Sequence, residues 1–313
     1  MTRTEWKQIG KGLAFCSPWL IGFMVFTLIP VVLSLYYSVC DYSLLQPPAY
    51  IGGANYHELL DDPIFRKSLT NTLLYAIIAL PAGLMVSLGL ALLLNVKVAG
   101  QTFYRTVIFL PSLVPTVASA MLWMWLFNAK LGLINTVLDW LPFRLLIAGI
   151  NAILGLVHLP QIETPIGWLT NPAWALPALA FMSFWGVGHT VVIYLAGLQD
   201  VPSELLESAE IDGAGMTRRL WHVTLPMLSP VIFFNLIMAI IGTLQVFAIP
   251  YIMTGGGPAR ATYFFTMYLY DNAFRYLKMG YASAMAWIQL LIILALTAIA
   301  FWSSRKWVYY QGK

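Results

Sequence analysis

The sequence predicts an all-α integral membrane protein with six transmembrane helices, and three observations carry that prediction. The chain has 313 residues, of which 60% are hydrophobic and only 10% charged, and its mean hydropathy is +0.77. Soluble domains carry about a quarter charged residues, so a water-soluble fold of this composition would lack a polar surface. Six apolar segments are each long enough to cross a hydrocarbon core of about 30 Å. Their apolar runs are continuous rather than alternating, which selects helices over a barrel.

The first span is placed at Leu13–Cys40. Arg3, Lys7 and Lys11 precede it as they would a signal peptide, but the run is too long for a cleaved apolar region and no small-residue cleavage site follows. It is read as a retained span. The second, Leu69–Asn95, and the third, Thr106–Phe127, are joined by a short basic segment. Ala173–Leu198 is the fourth, Leu225–Met253 the fifth, opened by a Leu-Pro pair, and Ala282–Trp302 the sixth. Pro30, Pro81, Pro115, Pro177 and Pro230 fall in or near these spans, where membrane helices tolerate kinks, and are read as packing features.

Lys and Arg set the expected orientation. Arg3, Lys7, Lys11, Lys97, Arg105, Arg218, Arg219, Arg305, Lys306 and Lys313 gather on one side, on short segments. Arg66, Lys67, Lys130, Arg144, Arg260, Arg275 and Lys278 spread over longer loops on the other, diluted by acids. Both termini and the 201–224 loop are therefore expected in the cytoplasm. The outer loops hold an apolar stretch, Leu145–Val157, suited to a helix lying in the membrane interface. No linker divides the chain and no internal repeat appears, so residues 1–12 are read as a cytoplasmic N-terminus, 13–302 as one membrane domain and 303–313 as a cytoplasmic C-terminus.

Several chemistries are missing. The net charge of +4 asks for no nucleic-acid partner. Cys16 and Cys40 lack metal-ligand spacing and read as apolar fillers. His57, His158, His189 and His222 are scattered, so neither a metal nor a catalytic site is expected. There is no phosphate-binding loop, and Gly255-Gly256-Gly257-Pro258 reads as a turn. Apart from His189, no ionisable residue lies deep in a span, whereas ion-coupled carriers use intramembrane carboxylates. The expected energy source is on another polypeptide, and no cofactor is expected on this one.

The longest charged island between apolar segments is Val201–Pro230. Ser203 is expected to cap a short helix with Glu204 in its first turn, and Gly213 to end it. A second short helical piece is expected to carry Arg218, Arg219 and Trp221 before Leu225-Pro226 opens the fifth span. A plain connector is shorter, so this segment reads as a docking element.

Here the sequence resembles the EAA loop of membrane subunits of binding-protein-dependent ABC importers. That pattern is Glu-Ala-Ala, three residues, Gly, nine residues, Ile, one residue, Leu-Pro. This chain reads Glu207-Ser208-Ala209, Gly213, Val223 and Leu225-Pro226 at the same spacing, with Asp212-Gly213-Ala214 at its centre. The resemblance extends over nearly the whole chain. It includes Pro18-Trp19-Leu20-Ile21-Gly22, Gly53-Ala54-Asn55-Tyr56, Tyr104-Arg105-Thr106, Trp123-Met124-Trp125 and Gly280-Tyr281-Ala282-Ser283-Ala284. It is similar to the carbohydrate-uptake permeases of the maltose and glycerol-3-phosphate type, with a longer outer segment over 129–171.

The resemblance implies a type I ABC importer transmembrane domain in the plasma (inner) membrane of a prokaryote. It implies a heterodimeric second permease, two cytoplasmic ABC ATPase subunits that use the ATP, and an extracytoplasmic solute-binding protein. It further implies that residues 201–226 hold a coupling helix gripped by the ATPase, through Glu207, Ser208, Ala209, Asp212, Gly213, Ala214, Leu225 and Pro226. For the substrate path the candidates are polar or small groups inside apolar spans, Gly186 and His189 in the fourth and Asn235, Thr243 and Gln245 in the fifth; the resemblance points to Gly186, His189, Thr243 and Gln245 among them, with Trp185 able to stack a sugar ring. The rivals are a secondary sugar carrier, a polytopic membrane enzyme, and a permease for glycerol-3-phosphate or another solute. The path candidates include no Lys or Arg, which favours a neutral sugar.

Overall fold

In a chain this apolar every long segment is able to be helical, and proline and glycine decide where helices stop or bend. The computed structural model describes residues 3–96, 98–156 and 162–309. Lys97, Val157, His158 and Lys313 therefore lie outside the described residues. Four described helices are long and apolar enough to cross a membrane, and six if each of two bent pairs counts as one span.

Span 1 covers Lys11–Ser38, continuous with a helix that begins at Arg3. It stops short of Cys40, which lies in a two-residue strand, Cys40–Asp41, paired antiparallel with Ala49–Tyr50. Span 2, Pro63–Asn95, begins earlier than expected because Pro63 is a good first helical residue. Span 6, Met279–Ser304, has nearly its expected limits. In spans 1 and 5 a π-helical turn, Met24–Leu28 and Leu220–Thr224, ends two residues before a proline, Pro30 and Pro226. Each turn widens the helix where the proline ring would otherwise meet the carbonyl four residues back.

Three spans are interrupted where continuous helices were expected. Span 3 consists of Gln101–Leu113 and Thr116–Leu126, bent by 99°. Pro111 tightens the chain into a 3₁₀ turn, Leu110–Leu113, and Val114 is extended, as the residue before Pro115 prefers. This bend is structural and more than the mild kink expected of Pro115. Span 4 consists of Pro172–Gly186 and Gly188–Gln199, bent by 49°. Its 3₁₀ turn, Phe184–Gly186, packs against the one in span 3. Gly188 permits this approach: a Cβ there would lie 3.0 Å from both Ile108 O and Phe109 Cα. Span 5 starts at Met216, so the short basic piece and the Leu225–Leu244 helix are one rod. Gln245, Val246 and Phe247 break it before Ala248–Met253.

The chain forms two compact units, residues 3–63 with 269–292, and 64–268 with 293–309. In the first, Asn55 Nδ2 donates to the carbonyls of Ser38 and Cys40, both at 2.9 Å, and Tyr56 donates to Ser38 Oγ at 2.9 Å. The Gly-Ala-Asn-Tyr motif thus clamps the end of span 1. Tyr281 donates to Asp62 Oδ2 at 2.7 Å in the same unit. Cys16 and Cys40 are both free.

The second unit contains the main core. Trp123 meets Phe127, Phe181 and Trp185 at centroid distances of 5.1, 5.7 and 6.1 Å. Trp185, offered as a sugar platform, is engaged in this aromatic packing. Asn71 donates to the carbonyls of Arg260 and Tyr263 at 2.7 and 3.2 Å; the glycine-rich 254–258 segment just before them is a turn, closed by Gly257 N–H to Thr254 O at 2.9 Å and held by Thr262 Oγ1, which donates to Gly257 O at 2.6 Å. The long 129–171 segment is anchored by buried Asn135, which donates to Ala129 O and Ile166 O, both at 2.9 Å. Its apolar stretch forms a helix, Leu141–Leu156, with Leu145 and Leu146 exposed.

Candidate coupling loop and substrate path

The loop helix runs Ser203–Ile211. Its N-cap is Pro202 with no side-chain bond, so Ser203 lies within the first turn and does not cap. Proline is suited here because its locked φ and missing N–H waste nothing at a helix start. At the other end Gly213 has φ +78°. Its N–H donates to Glu210 O at 3.0 Å, and Ala214 N–H donates to Ala209 O at 2.9 Å. This pair of bonds is a Schellman motif, which needs a left-handed residue where Gly213 stands.

The chain then reverses through extended Gly215 into the base of span 5. Arg219 pairs with Glu210 at 2.6 Å across the reversal. Arg219 is thus engaged within the loop. Glu207, Ser208, Asp212 and Gly213 are exposed, and Ala209 and Ala214 are half-buried. Ile211, Met216 and Trp221 are 87, 76 and 68% exposed. Apolar side chains gathered on a polar loop in this way mark an interaction surface. Leu225 and Pro226 are half-buried in the rod above, and Ser229, one turn on, accepts from Tyr309 N–H at 2.8 Å.

A cavity of about 280 Å³ lies between spans 2, 4 and 5. Gly186, Asn235 and Thr243 line it, together with Gly83, Ser183 and Thr190. No lining residue is charged. Asn235 is buried and donates to Val231 O of its own helix at 3.1 Å.

His189 and Gln245 are not on this cavity. His189 is exposed and meets Phe109 edge-on at 5.2 Å. It is one residue, about 100° of helix, from Thr190. Gln245 is exposed at the end of the Leu225–Leu244 helix, about 200° round from Thr243. Ser183 and Thr190 were not among the sequence candidates; they come to the cavity from either side of the 3₁₀ turn Phe184–Gly186, a break that sequence spacing does not show.

The comparisons with known proteins agree with this architecture. The model of the family described as binding-protein-dependent transport system inner membrane component matches residues 79–308. The probable ABC transporter permease protein YesP of Bacillus subtilis is 38% identical over all of this chain and 96% of its own length. The sulfoquinovosyl glycerol transport system permease protein SmoG of Agrobacterium fabrum is 34% identical over 95% of this chain and 92% of its own. A chain in the crystal structure of a bacterial alginate ABC transporter, in complex with a pentasaccharide-bound periplasmic protein, superposes with a TM-score of 0.78. That likeness covers 97% of this chain and 96% of the other at 21% identity, and it shows the shared type I permease fold. The chain is a membrane-embedded transport subunit and not an enzyme, and it belongs to the binding-protein-dependent transport system inner membrane component family of ABC importers.

Proposed function

We propose that the chain is one of two unlike permease subunits forming the path of a carbohydrate importer. An extracytoplasmic binding protein presents the solute, and two cytoplasmic ATPases drive the cycle, so ATP is used on the partner. The observation that carries the carbohydrate reading is the cavity between spans 2, 4 and 5. Its Ser183, Thr190, Asn235 and Thr243 offer hydroxyl and amide groups without a charge, the chemistry that recognises a neutral polyhydroxyl ligand. At about 280 Å³ it is small for a ligand site, and the second permease supplies the opposite wall. His189 and Gln245 stand off this cavity, elsewhere along the proposed route.

In this reading residues 201–226 face the cytoplasm with both termini, as Arg218, Arg219, Arg305 and Lys306 favour. ATPase closure grips the Ser203–Ile211 helix with its Gly213 turn and moves span 5 with it, because the rod from Met216 to Leu244 has no break. No residue in the most apolar stretch of span 1 is fully buried within this chain, and that stretch is the surface for lipid or the second permease.

The test is uptake by the complete importer supplied with neutral oligosaccharides or with glycerol-3-phosphate. Transport of the neutral sugars is expected. Preference for the phosphorylated solute overturns the reading, since no cation lines the cavity to receive it.

A further inference from the structure

A second cavity lies at the loop end of the bundle, and its chemistry differs from that of the path. It measures about 240 Å³ and is lined by Leu94, Arg105, Phe109, Val192, Leu195 and Gln199, among others. Gln199 stands just before the coupling loop, so the cavity sits beside the hinge between span 4 and that loop. Its walls are apolar except for Arg105 and Gln199, and Val192 is open at 47% exposure. Phe103, Tyr104 and Val107 continue the exposed apolar surface alongside.

Arg105 is under-used by the protein. One Nη donates to Leu94 O at a long 3.3 Å, where Gln101 already donates at 2.7 Å. Arg105 Nε is buried and has no partner. No carboxylate pairs with Arg105 among the described residues. A buried guanidinium N–H costs free energy until an acceptor meets it, and an anionic oxygen is the strongest such acceptor for a cation.

We propose that this cavity holds the phosphate of an anionic phospholipid, with Arg105 as its ligand and the apolar walls against its acyl chains. The occupant must be an amphiphile, because a free anion would leave the apolar lining unfilled. Basic pockets between membrane helices select acidic headgroups in this way. A lipid there would brace span 4 where it enters the coupling loop.

The test is native mass spectrometry of the full-length chain in neutral detergent, offered equal amounts of phosphatidylglycerol and phosphatidylcholine. A single arginine predicts about fivefold preference for phosphatidylglycerol. Arg105→Met should bring that ratio to about one. Val192→Trp keeps the guanidinium but closes the cavity, and it should do the same; it carries the test if Arg105→Met fails to fold. Equal retention of both lipids by the wild-type chain, or an unchanged preference in the variants, overturns the proposal and leaves Arg105 as a cap on Leu94. Displacement of phosphatidylglycerol by inorganic phosphate marks a free-anion site and overturns it as well.

Discussion

The coupling loop and the path cavity lie in one compact unit and are built in opposite ways. The loop takes its shape from neighbours in sequence. Pro202 starts the helix, Gly213 ends it, and Glu210 to Arg219 ties the reversal. Its working surface is exposed and needs no distant support. The cavity draws on spans 2, 4 and 5, and which side chains reach it depends on breaks at Phe184–Gly186 and 245–247. A locally determined site is fixed by a few backbone rules, whereas one assembled from distant spans moves when any bend changes.

The sharpest way to break this contrast is at Gly213. A Cβ there would meet nothing within 4 Å, so substitution acts through φ +78° alone. A β-branched residue in that conformation costs roughly 1–2 kcal/mol. Gly213→Val should lower uptake by roughly tenfold, as ~1.4 kcal/mol would, with membrane insertion unchanged. Gly213→Asn, which tolerates the left-handed region, should retain most uptake. Normal uptake by the valine variant would separate the turn from function. Equal loss in both variants would mean that bare backbone, not conformation, is what the ATPase needs.

The same contrast explains what was legible in the sequence. Span number, the loop helix and its glycine end depend on composition and short-range signals, and all were readable. Ser203 was misplaced by one position because Pro202 is also a good start and its cap needs no side chain. The bend of 99° in span 3 was hidden because hydropathy continues through Leu110–Pro115. Gly186, Asn235 and Thr243, chosen as polar or small groups in apolar spans, border the cavity. His189 and Gln245 met the same criterion and stand off it, because polarity does not reveal which side of a broken helix borders a given cavity. Ser183 and Thr190 border it too, and the break at Phe184–Gly186 left their spacing without a readable helical period.

Gly186 tests the cavity as Gly213 tests the loop. It borders the cavity, and a Cβ there would meet no atom within 4 Å. Gly186→Phe should therefore fill the route rather than disrupt packing. Uptake is expected to drop severalfold, while the ATPase still copurifies in normal amount, the converse of a docking defect. Gly186→Ala should be nearly neutral. Full transport by the phenylalanine variant would show that solute passes elsewhere, and His189 and Gln245 would regain interest.

The smallest effect is expected from the ion pair inside the loop. Arg219 and Glu210 meet at 2.6 Å, but the glutamate side chain is 67% exposed, so the pair is worth only about 0–1 kcal/mol. Its leverage is geometric, since it joins the end of the loop helix to the base of span 5. Glu210→Arg or Arg219→Glu alone should reduce uptake by about two- to fivefold, the range that ~0.5–1 kcal/mol spans. The reciprocal double variant should recover most of it, because the bridge is rebuilt with its charges exchanged. Recovery would show that the loop works as one rigid handle. Additive loss would mean instead that each charge is read separately by the partner, and that the handle's stiffness comes from the Gly213 turn alone.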